Sequence, residues 1–159
     1  MEPPAAIHNT FVIERTYPAP PELVFSAFTD PTRKRRWFVE SDHAEVLQHE
    51  LDFRPGGREL AQMRFKPGTP VAGFVCTVDT TYYEIVPNRL ILFAASMKMG
   101  DKCISGSLCT IELLPAGVGA GTELIFTHHA TFLEGADGPE MRHEGWRTLF
   151  QRLAEELAR

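Results

Sequence analysis

Histidine and cysteine are the side chains here that could do chemistry near neutral pH, and six of the first and three of the second are present. His128 and His129 stand together in residues 122–132, where Leu124, Phe126, His128, Ala130 and Phe132 share one parity. Alternation of period two is the mark of a strand with one buried face. His128 therefore points inward among apolar neighbours, and His129 points to solvent. An inward imidazole can position a ligand or move a proton. The plainer alternative is a hydrogen-bonded core histidine. His143 can approach His128 if the C-terminal segment crosses this strand, and Cys109 shares the inward parity of its own segment. A metal site would need a spacing such as H-x-x-x-H, H-E-x-x-H or C-x-x-C, and none occurs. No metal or other cofactor is expected. The G-x-S-x-G nucleophile elbow is missing too. Glu14, Glu84 and Glu112 fall on outward parities, so no carboxylate pair is set up for acid–base work. Cys76, Cys103 and Cys109 are odd in number and sit in apolar settings. They read as buried reduced thiols rather than as a disulfide framework.

Two further patterns carry chemistry only at first sight. Gly117-x-Gly119-x-Gly121 has the look of a phosphate loop, but such a loop must open a helix. Thr122-Glu123-Leu124 opens a strand instead, so the glycines form a hairpin connection. The run Arg33-Lys34-Arg35-Arg36 is the one basic cluster. It could meet an anion or a partner, yet on a short helix of an acidic chain it reads as a solvated face.

The elements that must position these groups emerge from periodicity and breakers. Residues 7–17 alternate as a strand and end at Pro18, Pro20 and Pro21. From Glu22 onward, Val24, Ala27 and Phe28 fall on one helical face. Asp30-Pro31 stops that helix and caps a second short one, which ends near Trp37-Phe38. Strands are then predicted over 44–53, 58–65, 71–86, 89–99, 107–114 and 122–132, with Pro55-Gly56-Gly57, Lys66-Pro67-Gly68 and Pro87-Asn88 as turns. In 71–86, Phe74, Cys76, Val78 and Tyr82 share a parity against Thr77, Asp79 and Thr81. From Pro139 to Ala158 the stripe Trp146, Leu149, Phe150, Leu153, Leu157 marks an amphipathic helix. Arg152, Glu155 and Glu156 fall off it. Gly145 is expected to let that helix approach the sheet closely.

The order is strand, two short helices, six strands and one long helix: an α+β chain with an antiparallel sheet packed on its last helix. At 159 residues it is one domain, 7–159, after a loose N-terminus over residues 1–6. Sixteen Lys+Arg stand against 21 Asp+Glu, a formal charge of −5, which argues against nucleic acid or an anionic membrane as a partner. No apolar run is long enough to span a bilayer, and MEPPAAIHNT has no secretory pattern. A reducing, cytoplasmic setting is expected. A homodimer would be the commonest closed oligomer.

Ala19-Pro20-x-x-x-Val24-Phe25-x-Ala27-x-x-Asp30-Pro31 followed by Trp37 resembles the opening of the START-like (SRPBCC) superfamily. Gly56-Gly57, Pro87-x-Arg89-Leu90, Gly121-Thr122-Glu123-Leu124 and Gly145-Trp146 come after it in the matching order. The nearest likeness is to the Aha-type branch, homologues of the activator of heat-shock protein 90 ATPase, over about residues 8–158. The resemblance implies a helix-grip fold, in which a curved antiparallel sheet of about seven strands holds the C-terminal helix around a cavity. Such relatives variously bind lipids, hormones or polyketides, act as cyclases, or serve as cochaperone domains, so fold alone licenses a pocket and not a reaction.

Three functions stand as expectations. The first is binding of a hydrophobic small molecule in an apolar cavity. Its candidate lining begins with Trp37 and Phe38 on the second helix. Met63, Phe74, Val78, Tyr82, Phe93 and Met97 come from the first strands, Cys109 and His128 from the last two, and Trp146 and Phe150 from the long helix. The second is an interaction domain for a chaperone, heat-shock protein 90. The third is a cavity enzyme of cyclase or hydrolase type using His128, helped by Tyr82 or His143.

Overall fold

The computed structural model describes residues 5–117 and 119–159. Of the N-terminal segment expected to be loose, residues 1–4 lie outside the described residues, and the first strand already begins at Ala6. That strand, β1 (Ala6–Tyr17), leads through the prolines into helix α1 (Pro21–Thr29), with Pro21 in its first turn. Proline suits this place, because its missing N–H would have had no partner there. Val24, Phe25, Ala27 and Phe28 form the buried face of α1.

Asp30 ends α1 and starts α2 (Pro31–Lys34). Its carboxylate accepts from the backbone N–H groups of Thr32 at 2.9 Å and Arg33 at 3.3 Å, the N-cap arrangement that satisfies two orphan donors. The chain then widens into a π-turn over Arg35–Val39, closed by a bond from the Glu40 N–H to the Arg35 carbonyl. Trp37 and Val39 are buried by this turn, and the Trp37 indole N–H donates to the Ala27 carbonyl at 2.8 Å.

Six strands come next: β2 (Ala44–Leu51), β3 (Arg58–Phe65), β4 (Val75–Val86), β5 (Leu90–Met99), β6 (Lys102–Pro115) and β7 (Thr122–Leu133). They make one curved antiparallel sheet in the order β1-β7-β6-β5-β4-β3-β2. The two helices thus carry the chain from one sheet edge to the other, and a plain meander brings it back to pair with β1. In that pairing Phe11 lies opposite His128, and Cys109 lies opposite His128 on the other side. Register shifts interrupt β2 near Val46, β4 near Tyr82 and β6 at Ile104, opposite Met97 and Lys98 of β5. Such irregularities bend a strand.

Helix α3 (Pro139–Leu157) lies against this sheet. Phe150 and Leu153 are fully buried on its stripe, and the Tyr17 hydroxyl ties β1 to it by donating to the Phe150 carbonyl at 3.0 Å. Phe126 meets Trp146 at 4.4 Å and Phe150 at 5.2 Å between ring centroids. No helix among the described residues is long and apolar enough to cross a membrane.

Four sequence expectations need correction. Strand β4 begins at Val75, because residues 69–73 form a turn, and Phe74 is 54% exposed at its end. Its backbone closes that loop, with the Phe74 carbonyl accepting from the Phe65 N–H at 3.0 Å, while its ring lies in water. The basic run is not a solvated face: Lys34 is buried, and Arg33 and Arg36 both hold Glu156 of α3. Cys103 is exposed, whereas Cys76 and Cys109 are buried as expected. Gly145 makes no close approach, since a Cβ built there meets no atom within 4 Å.

Candidate functional site

Between α3 and the sheet lies a cavity of about 250 Å³. Most of its wall is apolar. Phe38 comes from the π-turn, Met63 from β3, Cys76 and Val78 from β4, Ala95 and Met97 from β5, and Met141, Trp146 and Leu149 from α3. Polar groups make up the rest: Ser96, Ser105, Ser107, His128, Asp137 and Arg142. An apolar chamber with a few convergent polar groups is the usual form of a small-molecule site.

Arg142 organises the polar groups. Its Nε donates to Asp137 Oδ2 and its Nη2 to Asp137 Oδ1, both at 2.8 Å. Nη2 also donates to Ser105 Oγ at 2.9 Å and reaches Met97 Sδ at 3.4 Å. The guanidinium carbon lies 5.1 Å from the centre of the Phe132 ring. A bidentate carboxylate partner neutralises the cation and fixes its plane. Gly138, with φ +87°, provides the positive-φ bend between Asp137 and the start of the helix.

His128 is 1% exposed and on the cavity wall. Burial, then the nearby Arg142 and His129 charges, push its pKa down to about 4. It is therefore a neutral imidazole at physiological pH. Phe11 stacks on it at 4.4 Å and stacks on His143 at 4.5 Å. The two histidines thus approach through a phenyl ring rather than converging on a point. Among the described residues no group of three or more His, Cys, Asp or Glu could hold a metal ion. The Nδ1 atom of His128 is buried without a hydrogen-bond partner among the described residues. Burial pushes the Cys76 thiol up to about 11, so it stays protonated and is a poor nucleophile.

A second, closed polar cluster sits beside the cavity. Glu59 of β3 is 1% exposed and accepts from Lys34 Nζ at 2.8 Å and from the Tyr82 hydroxyl at 2.7 Å, with His49 Nε2 at 2.8 Å. The Lys34 ammonium also faces the Phe38 ring, 4.3 Å from its centre. The space here is about 20 Å³, room for a water and little else.

The expected lining residues are thus divided. Phe38, Met63, Val78, Met97, His128 and Trp146 are on the wall of the main cavity. Trp37, Tyr82 and Phe93 face the small space beside Lys34 and Glu59. Cys109 and Phe150 belong to the packed core, and Phe74 is on the surface. Arg142, Asp137, Ser105 and Leu149 join the site without having been expected there. A signal for Arg142 exists: Arg142, Gly145, Trp146 and Leu149 are spaced three and four apart, the same face as the apolar stripe.

The single curved sheet, the two short helices and the cavity under α3 define a helix-grip, START-like domain. Residues 18–158 match the family described as Activator of Hsp90 ATPase homolog 1-like protein, and the chain belongs to that family. An uncharacterised protein from Rhizobium leguminosarum is 35% identical, with a TM-score of 0.86 and 96% of each chain covered. A Rhizobium loti protein is 42% identical, with a TM-score of 0.81, covering 95% of this chain and 98% of that one. A Staphylococcus aureus protein of unknown function shares the fold at 16% identity and a TM-score of 0.75, covering 96% of this chain and 95% of that one. No curated protein matches the chain.

Proposed function

We propose that this chain binds a compact hydrophobic molecule in the cavity under α3. The observation that carries the reading is the cavity of about 250 Å³ whose wall is mostly apolar with a few polar groups. Drug-sized ligands take roughly 300–1,000 Å³, so the guest is small. Met63, Met97 and Met141 supply soft walls that adapt to shape. A reducing, cytoplasmic setting is part of the proposal, supported by two buried, unpaired thiols. Native mass spectrometry of the purified protein, beside thermal shift with small aromatic and aliphatic probes, tests it. An adduct lost on denaturation, or a probe that raises the melting temperature, supports the reading. A bare mass together with no shift from any probe overturns it.

The family's description favours a second reading, an interaction domain that stimulates the ATPase of heat-shock protein 90. Its test is the ATPase rate of that chaperone with and without the purified chain, and an unchanged rate removes it. Catalysis by His128 is not part of the proposal. No side-chain hydrogen bond among the described residues joins its imidazole to a hydroxyl, thiol or carboxylate, so it lacks the partner that an acid–base relay needs.

A further inference from the structure

We infer that the cavity selects an uncharged amphiphile, an apolar body bearing one hydroxyl or carbonyl, and that His128 recognises this polar group. The inference rests on the binding role proposed above and names the ligand class for the same site.

The geometry of His128 points to a guest. Its side chain is 1% exposed and on the cavity wall, and its Nδ1 has no hydrogen-bond partner among the described residues. Buried polar atoms in folded proteins are nearly always paired, so each exception calls for a reason. Phe11 stacks flat on the ring, with 12° between the planes, and so holds its face. The ring's edge nitrogens are the atoms left to bond a guest. Nδ1 is itself sealed from the cavity, so the nitrogen that meets a guest is Nε2.

The charges around the cavity exclude an ionic guest. Arg142 is the cation on that wall, and Asp137 already binds it through two parallel hydrogen bonds of 2.8 Å. Ser105 takes a further donor of the same guanidinium. The arginine and aspartate charges cancel, and His128 stays neutral at physiological pH. A carboxylate entering here would leave water for a site whose cation is already matched. A cation would meet an aspartate already matched. A neutral hydroxyl or carbonyl loses far less on leaving water, and one good hydrogen bond restores it. The rest of the wall, with Phe38, Met63, Val78, Trp146 and Leu149, suits the apolar body.

Calorimetric titration with three probes of one shape separates the alternatives: 4-propylphenol, propylbenzene and 4-propylbenzoate at neutral pH. The phenol is expected to bind about tenfold more tightly than propylbenzene, the worth of one buried hydrogen bond, and more tightly than the benzoate. In His128→Leu the phenol's advantage over propylbenzene should vanish while propylbenzene still binds. The wild-type protein gives an independent readout that needs no variant. The His128 imidazole ¹⁵N resonances should move with the phenol and stay still with propylbenzene. Equal affinities for phenol and propylbenzene, or preference for the benzoate, overturn the inference and leave the cavity reading standing. Failure of all three probes to bind overturns the inference, and together with a bare native mass it overturns the cavity reading as well.

Discussion

The Lys34 ammonium donates to Glu59 Oε1 across 2.8 Å, and both side chains are buried. This bond fastens α2 to β3 beneath the rings of Phe28, Trp37 and Phe38. Lys34→Met would leave Glu59 as an unmatched buried charge. The expected loss is about 3–5 kcal/mol, the cost of breaking a buried pair from one side. Lys34→Met with Glu59→Gln should recover a large part, because the amide oxygen still accepts from Tyr82 and no charge is left. Urea unfolding of the two single variants and the double gives the coupling directly. Equal losses in the double and in Lys34→Met would contradict the pairing.

Two groups set the acid behaviour in separate windows. Burial alone would raise the Glu59 carboxyl, but the Lys34 charge and the hydrogen bonds of His49, Lys34 and Tyr82 outweigh it and hold it well below the usual range. Its contribution is present above the unfolded value near 4.5 and is lost as pH falls through the lower folded value. His128 is lowered from 6.5 to about 4. The unfolded chain therefore takes up that proton first. Its contribution is full above 6.5 and declines from there as pH falls toward the folded value, by up to ~1.4 kcal/mol per pH unit. Urea unfolding between these limits should show a steeper slope for the wild type than for His128→Leu. Parallel slopes would place the protonation elsewhere.

The two adjacent glycines of the β2–β3 turn are expected to tolerate change unequally. A Cβ on Gly57 would run into the Asp52 carbonyl oxygen, a backbone atom that cannot step aside. Gly56 has φ +81° with open space around it, so Gly56→Ala meets only the left-handed penalty of roughly 1–2 kcal/mol. Gly57→Ala should cost more, and it should also disturb Tyr82. The Tyr82 N–H donates to the Gly57 carbonyl at 3.0 Å, and its carbonyl accepts from the Gly56 N–H at 2.7 Å. Thermal melts of both variants check the order, and the reverse ranking would refute this account of the turn.

Gly145 offers a way to test the cavity without weakening the fold. It is exposed, within α3 and on the cavity wall, and a Cβ placed there has no atom within 4 Å. Gly145→Ala should raise stability by up to ~1 kcal/mol, the helix-propensity difference. Gly145→Leu should keep most of that gain while narrowing the chamber, so that propylbenzene uptake falls at least several-fold. A Gly145→Leu protein that binds as the wild type does would show that the guest sits elsewhere.

Much of this architecture is legible in the sequence because alternation and breakers are local signals. Asp30-Pro31 announces its own cap, and Leu124 to Phe132 announces which way His128 points. Strand β6 starts five residues before its predicted start because Lys102 to Gly106 lacks apolar alternation and becomes strand through pairing with β5 and β7. The burial of Lys34 is hidden for a similar reason. Composition counts charge, whereas its burial depends on Glu59, 25 residues away. Arg142 lies on a legible stripe, but a cation on that stripe has meaning only once Asp137 and Ser105 are beside it. Phe74 fits the parity of β4, yet the turn at 69–73 takes it out of the sheet before parity can act.

The π-turn at Arg35–Val39 gives this region a counting rule. An ordinary helix advances about 100° per residue, and a π-turn holds one residue more than the ordinary turn it replaces. Removing Arg35 would therefore wind the segment back into register with α2 and swing the downstream chain by about a quarter of a circle. Trp37 would lose its bond to the Ala27 carbonyl, Phe38 would leave both Trp146 and the Lys34 ammonium, and Arg36 would turn from Glu156. Point substitutions in this stretch change one contact each, whereas a change of length rewrites all of them together. For this stretch, length is one structural constraint shared by every contact it makes.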